Sequence, residues 1–127
     1  MTEGALWGSG RIWPYCGEGG QPTIVEIYPR LMTGAVRKSN SLARADLLER
    51  RYPRLSAQHR ALAIASEDAF DATVSALVMA DHVADLIALP AEADPALRLE
   101  GRIWHPAWRA DRLWASDVSS NQAWIKP

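Results

Sequence analysis

Three acidic side chains, Glu26, Asp68 and Asp71, stand where solvation alone explains them poorly. Glu26 interrupts the run Thr23-Ile24-Val25-Glu26-Ile27-Tyr28, where a charge is costly unless it is paired, solvated or bound to a cation. Asp68 and Asp71 are three apart and Glu67 and Asp71 four apart, so on a helix they share a face and repel. Acids in a first turn favour the positive end of the helix dipole, which accounts for Glu67 or Asp68. It accounts less well for Asp71, a turn further in among Ala69, Phe70, Ala72 and Val74. Hard cations such as Mg²⁺ take oxygen ligands from carboxylates that converge in space, and a strand acid facing a helix acid is one way to build that. The competing reading turns Glu26 to solvent or pairs it with an Arg; spacing alone leaves both open.

The elements that must position these acids are legible in outline. Residues 23–28 form the best strand, rich in β-branched and aromatic side chains. Apolar on both faces except at Glu26, it reads as a central strand covered on both sides and closed by Pro29. A shorter β-prone run at residues 11–16 contains Pro14, which puts it at an edge or ends it. Ser39 or Ser41 can cap a helix over 42–51, Pro53 ends it, and Ser56 can start a short helix running to Ala65. Ser66-Glu67-Asp68 is a helix N-terminal signature for a mostly buried helix over 67–89, stopped by Pro90. Residues 91–97 read as a loop and 101–104 as a short strand; after Pro106 no period is sustained and a loosely held tail is expected. The chain therefore divides into a lead over 1–9, one domain over 10–105, and an irregular Trp-containing tail over 106–127.

Composition narrows the function classes. The 127 residues suit one globular domain, and the formal net charge of -1 points to no partner. The distribution is more informative. Between residues 30 and 60 stand Arg30, Arg37, Lys38, Arg44, Arg50, Arg51, Arg54 and Arg60, opposed only by Asp46 and Glu49. Residues 67–100 are strongly acidic, with Arg98 their only basic member. A basic segment followed by an acidic one fits a polyanion held near a cation site, and equally fits two surface segments that offset each other. Cys16 is alone, so an internal disulfide and a Cys-based zinc site are both excluded. The N-terminus lacks a signal-peptide pattern, and the apolar stretch over 74–89 is broken by Asp81, His82 and Asp85, so a cytoplasmic protein without a membrane span is expected. His59, His82 and His105 have no mutual metal-ligand spacing; Trp104, Trp108, Trp114 and Trp124 suit the covering of a core better than the stacking of bases.

Taken in order, residues 23–31 (Thr-Ile-Val-Glu-Ile-Tyr-Pro-Arg-Leu), Lys38-Ser39, Ser66-Glu67-Asp68-Ala69-Phe70-Asp71-Ala72 and Glu100-Gly101-Arg102-Ile103-Trp104 resemble the C-terminal half of the predicted RNase H-like nucleases called domain-of-unknown-function family 429. The resemblance covers about residues 10–105. It implies an α/β chain with a partial RNase H-like fold: a mixed sheet of few strands against two or three helices. It also implies a site for Mg²⁺ or Mn²⁺ in which Glu26 is the strand acid, Asp71 the inward helix acid and Asp68 its assistant. Lys38 matches a basic position after the strand and, with Arg30, is the expected contact for a phosphate or other substrate anion. Nucleases of this fold use two metals to activate water and stabilise the leaving oxygen.

The departure from the family is an absent first-strand acid. RNase H-like domains open on a hairpin whose first strand carries a catalytic Asp, and here no Asp precedes Asp46. Three expectations follow: a truncated product, a fragment that pairs with a separate N-terminal chain, or a protein that has left catalysis. A sheet cut at that point exposes apolar surface, so a partner or self-association is expected. The functional expectation is an RNase H-like divalent-metal-dependent nuclease or phosphodiesterase domain, incomplete and inactive without the missing acid. The alternative is a non-catalytic nucleic-acid-binding or assembly module.

Overall fold

A computed structural model describes residues 11–15 and 22–109. Among them are ten short elements: β1 (Arg11–Ile12), β2 (Thr23–Ile24), β3 (Glu26–Ile27), α1 (Pro29–Thr33), α2 (Ser41–Arg51), α3 (Ala57–Ala65), α4 (Glu67–Asp81), α5 (Val83–Ile87), α6 (Pro95–Glu100) and β4 (Ile103–Trp104). The class is mixed α/β. Where two or three helices and one mixed sheet were expected, the described residues hold six helices and two parallel strand pairs.

The extended run over 23–27 pairs with β1 through its first half and with β4 through its second. Registered neighbours in a parallel pair share a face. Arg11, Trp13 and Trp104 are buried, and Val25 and Ile27 pack against the core, so this face meets the helices. The opposite face carries Ile12, Ile24, Glu26 and Ile103, with Tyr28 next in the alternation, and it is open: Ile24 is 52% and Tyr28 55% exposed. The expectation of a strand covered on both sides is corrected here, because among the described residues the helices pack on one side of the alternation. Parallel sheets are almost always covered on both faces, so an apolar open face is an unfilled demand for packing.

α4 is the central helix. Phe70, Val74 and Val78 recur every fourth residue, form one buried stripe, and pack against α1 and α3. Ser66 caps α4 as expected, its Oγ accepting from the Ala69 N–H at 3.1 Å. Ser56 caps α3 in the same way through His59 N–H. The cap of α2 is Asn40 rather than Ser39 or Ser41, its Oδ1 accepting from Leu42 and Ala43 N–H. Pro29 does not merely close a strand; it occupies the first turn of α1, where its missing N–H costs nothing. The same logic starts a helix at Pro95, inside the expected loop over 91–97, since Asp94 caps Ala96 N–H just ahead of it; residues 91–94 remain a loop.

The helix expected over 67–89 is broken at His82. Its N–H bonds back to the Met79 carbonyl, and the helical path resumes as α5. The break turns Asp85 toward three donors: Trp104 Nε1 at 3.2 Å, Trp108 Nε1 at 2.9 Å and the Arg109 guanidinium at 2.9 Å. Trp13 and Trp108 meet edge to face at 5.2 Å, and Arg102 bonds the buried Glu92 at 3.0 Å. Trp108 is therefore part of the core, against the expectation of a loose tail after Pro106. The lead over 1–9, the rest of the tail, Cys16, Trp114 and Trp124 lie outside the described residues.

Candidate functional site

The Ser66 cap fixes the start of α4 and so sets Asp71 on its second turn. The Asp71 carboxylate is largely buried, and its Oδ2 accepts from the Lys38 ammonium at 2.6 Å. Lys38 belongs to the link between α1 and α2, held from below by Arg44. The buried Arg44 guanidinium donates to the Lys38 carbonyl and twice to the Ile64 carbonyl, at 3.1 and 2.6 Å. Ile64 lies in the last turn of α3, where a cation is favoured by the helix dipole and by unsatisfied carbonyls. Arg44 is thus committed to the fold, although its sequence neighbours suggested a basic surface. Asp71 Oδ1 is buried with no hydrogen-bond partner among the described residues; so are Ser75 Oγ one turn on and Thr33 Oγ1 in α1.

This pair makes a prediction. Replacing Lys38 by Met leaves a carboxylate in a largely buried position without its counter-charge, and should cost about 1–3 kcal/mol. Asp71→Asn in that background should recover much of the loss. Urea unfolding of the two single variants and the double variant measures the coupling.

Glu26 stands elsewhere. It is exposed on the open sheet face and lines an open cleft of about 520 Å³ with Leu31, Glu100, Arg102, Ile103 and His105. Gly101 at the mouth of this cleft has a φ of +82° and lies so close to the Tyr15 hydroxyl that a Cβ could not fit without displacing it. Asp68 is exposed in the first turn of α4. Arg30 is exposed on α1 and donates to the Val36 carbonyl at 3.3 Å, bracing the link that carries Lys38.

The structure thus brings Lys38 to Asp71 and gathers Glu100 and His105 beside Glu26. Among the described residues no group of three or more His, Cys, Asp or Glu side chains is placed to hold a metal ion. As placed, Glu26, Asp68 and Asp71 do not make the cage that Mg²⁺ or Mn²⁺ needs, and the charge beside Asp71 is an ammonium.

The acid that sequence reasoning missed is Asp85. Burial pushes its carboxyl up, but the two indole N–H donors and Arg109 outweigh that and hold it below the ordinary value of 3.8. Only the spacing of Trp104 and Trp108 hinted at a shared acceptor. His82 is half-buried; its Nδ1 lies 2.8 Å from the Val78 carbonyl and its ring 6.0 Å from that of Trp104.

No helix among the described residues is long and apolar enough to cross a membrane. In comparisons with known proteins, no family model, no curated protein and no solved structure matches this chain.

Proposed function

We propose that this chain contributes part of an RNase H-like divalent-metal-dependent nuclease or phosphodiesterase site, one that needs a further acidic strand to work. One observation carries the reading: Lys38 and Asp71, singled out separately by the sequence, are in contact at 2.6 Å although 33 residues apart. The pair leaves Asp71 Oδ1 buried and without a partner among the described residues, an acceptor of the kind that a cation or its water would use. In this reading Asp71 and Glu26 supply carboxylates, Asp68 assists, and Lys38 and Arg30 meet substrate phosphate. Mg²⁺ or Mn²⁺, when bound, would supply charge stabilisation at the reacting phosphate. Because the acids do not form a cage as placed, no step is assigned to the metal in the chain alone.

A second reading is favoured by a different observation. The open parallel-sheet face, with Ile12 50% and Ile24 52% exposed around Glu26, is a docking surface by its composition. This supports a non-catalytic nucleic-acid-binding or assembly module. Titration of the purified chain with Mn²⁺, and separately with single- and double-stranded DNA and RNA, separates the two. With its further acidic strand absent, the catalytic reading expects no turnover by the chain alone but Mn²⁺ binding, read as a rise in the thermal midpoint that EDTA reverses and that Asp71→Asn and Glu26→Gln each abolish. Nucleic-acid binding without any such response to Mn²⁺ would leave the module.

A further inference from the structure

We propose that the two grooves meeting at Arg51, at the end of α2, form a track for single-stranded nucleic acid, lined by neither Glu26 nor Asp71. The inference rests on the nucleic-acid reading for its class of ligand and adds the path the strand would take. One groove, about 400 Å³, is lined by Arg37, Arg50 and Arg51 with Asp46. The other, about 690 Å³, is lined by Arg51, Tyr52, Arg54 and His59 with Asp81. Arg51 lines both, so the grooves adjoin at its side chain.

The charge available there is real and not already spent. Arg37 and Arg54 are exposed, and neither side chain makes a hydrogen bond or ion pair among the described residues. Arg50 pairs only with Asp46, in a bridge both of whose side chains are more than 60% exposed, a bond that a phosphate can replace at little cost. Arg51 donates to the Tyr52 hydroxyl at 3.2 Å and makes longer contacts to the Met32 and Thr33 carbonyls, at 3.4 and 3.5 Å, while remaining exposed. The carbonyls at the end of α2 and beyond, which would repel an anion, are covered from behind. Arg60 donates to those of Tyr52, Pro53 and Leu55. Four arginines against Asp46 and Asp81 leave the track net positive.

The choice of a single strand comes from Tyr52. Arg51 lies over its ring at 5.3 Å, so a planar cation and an aromatic ring stand together midway along the track. Unpaired bases stack on such surfaces, whereas the bases of a duplex are already stacked on each other. The phosphates between stacked bases would then meet Arg37 and Arg50 on one side and Arg54 on the other.

The test uses fluorescence anisotropy of labelled oligothymidylate and oligouridylate with the full chain in EDTA. Removal of the three exposed arginines together, Arg37→Ala, Arg50→Ala and Arg54→Ala, should weaken binding by at least about tenfold. The slope of log affinity against log salt should fall by about 2, at roughly 0.7 per lost phosphate contact. The corresponding triple Lys variant should keep the slope, which separates loss of charge from loss of fold. Arg98→Ala, which removes an exposed arginine on α6 outside both grooves, should leave affinity unchanged, and because binding is read in EDTA a failed nuclease reading does not touch this one. Unaltered binding by the triple Ala variant overturns the track. Equal affinity for duplex, or equal displacement by heparin and by oligothymidylate, overturns the single-strand assignment in favour of a general polyanion surface. A loss of the same size on Arg98→Ala overturns the track in favour of diffuse surface charge.

Discussion

Asp85→Ala should lower the stability of the fold by about 2–4 kcal/mol. The substitution removes the common acceptor of two buried indoles, Trp104 and Trp108, which are 0% and 2% exposed. Each orphaned N–H costs about 1–3 kcal/mol where it loses its bond in a buried position. The Arg109 contribution is small, since that guanidinium is more than half exposed and screened. Urea unfolding should show a lower midpoint with little change in slope, the sign of lost stability rather than an altered denatured state.

The same carboxylate sets a pH dependence. Its folded value lies below 3.8 and its unfolded value near it, so the unfolded chain takes up the proton first as pH falls. The stabilisation is full above about pH 4 and is lost as pH drops through the folded value. Asp85→Asn, which titrates no proton, should start lower and lack that component of the acid limb. A wild-type chain whose stability is flat through this window would refute the role given to Asp85.

Phe70→Ala should have the largest effect of any single change, about 3–5 kcal/mol. Phe70 is fully buried on α4, where the helix meets α1 and α3, and truncation leaves a cavity that rigid helices cannot close. Its neighbour Asp71 is carried by the same turn. A second consequence is therefore expected: the Lys38–Asp71 pair loosens, and the coupling measured between them in the Phe70→Ala background falls toward zero. Phe70→Leu, which fills most of the space, should retain the coupling and cost less. Thermal unfolding followed by circular dichroism reads the stability, and the double-mutant cycle reads the pair.

Much of the local structure was legible because its causes are local. The helices over 41–51, 57–65 and 67–81 follow from capping side chains that bond N–H groups two or three residues away and from apolar residues one turn apart. The extended run around Glu26 follows from β-branched residues that restrict their own backbone. The cap at Asn40 and the short helices after Pro29 and Pro95 were local as well. They were missed because five or six residues are too few to show a period, although Asp94-Pro95 carried the signal for one of them.

The tertiary structure decided the rest. Alternation along residues 23–28 shows two faces but not which one the helices cover, and only packing left Ile24, Glu26 and Tyr28 in solvent. The break at His82 depends on what Asp85 gains from Trp104 and Trp108, residues 19 and 23 positions away. Arg44 looked like a surface charge among its neighbours and became a buried cap on another helix. For the acids, the sequence by itself determined that Glu26 sits on a strand and that Asp68 and Asp71 open a helix. Whether they converge depends on how far apart the sheet face and the second turn of α4 are held. The fold gave Asp71 to Lys38 and Glu26 to the open cleft, because electrostatic pairing acts through space and cannot be read from spacing along the chain.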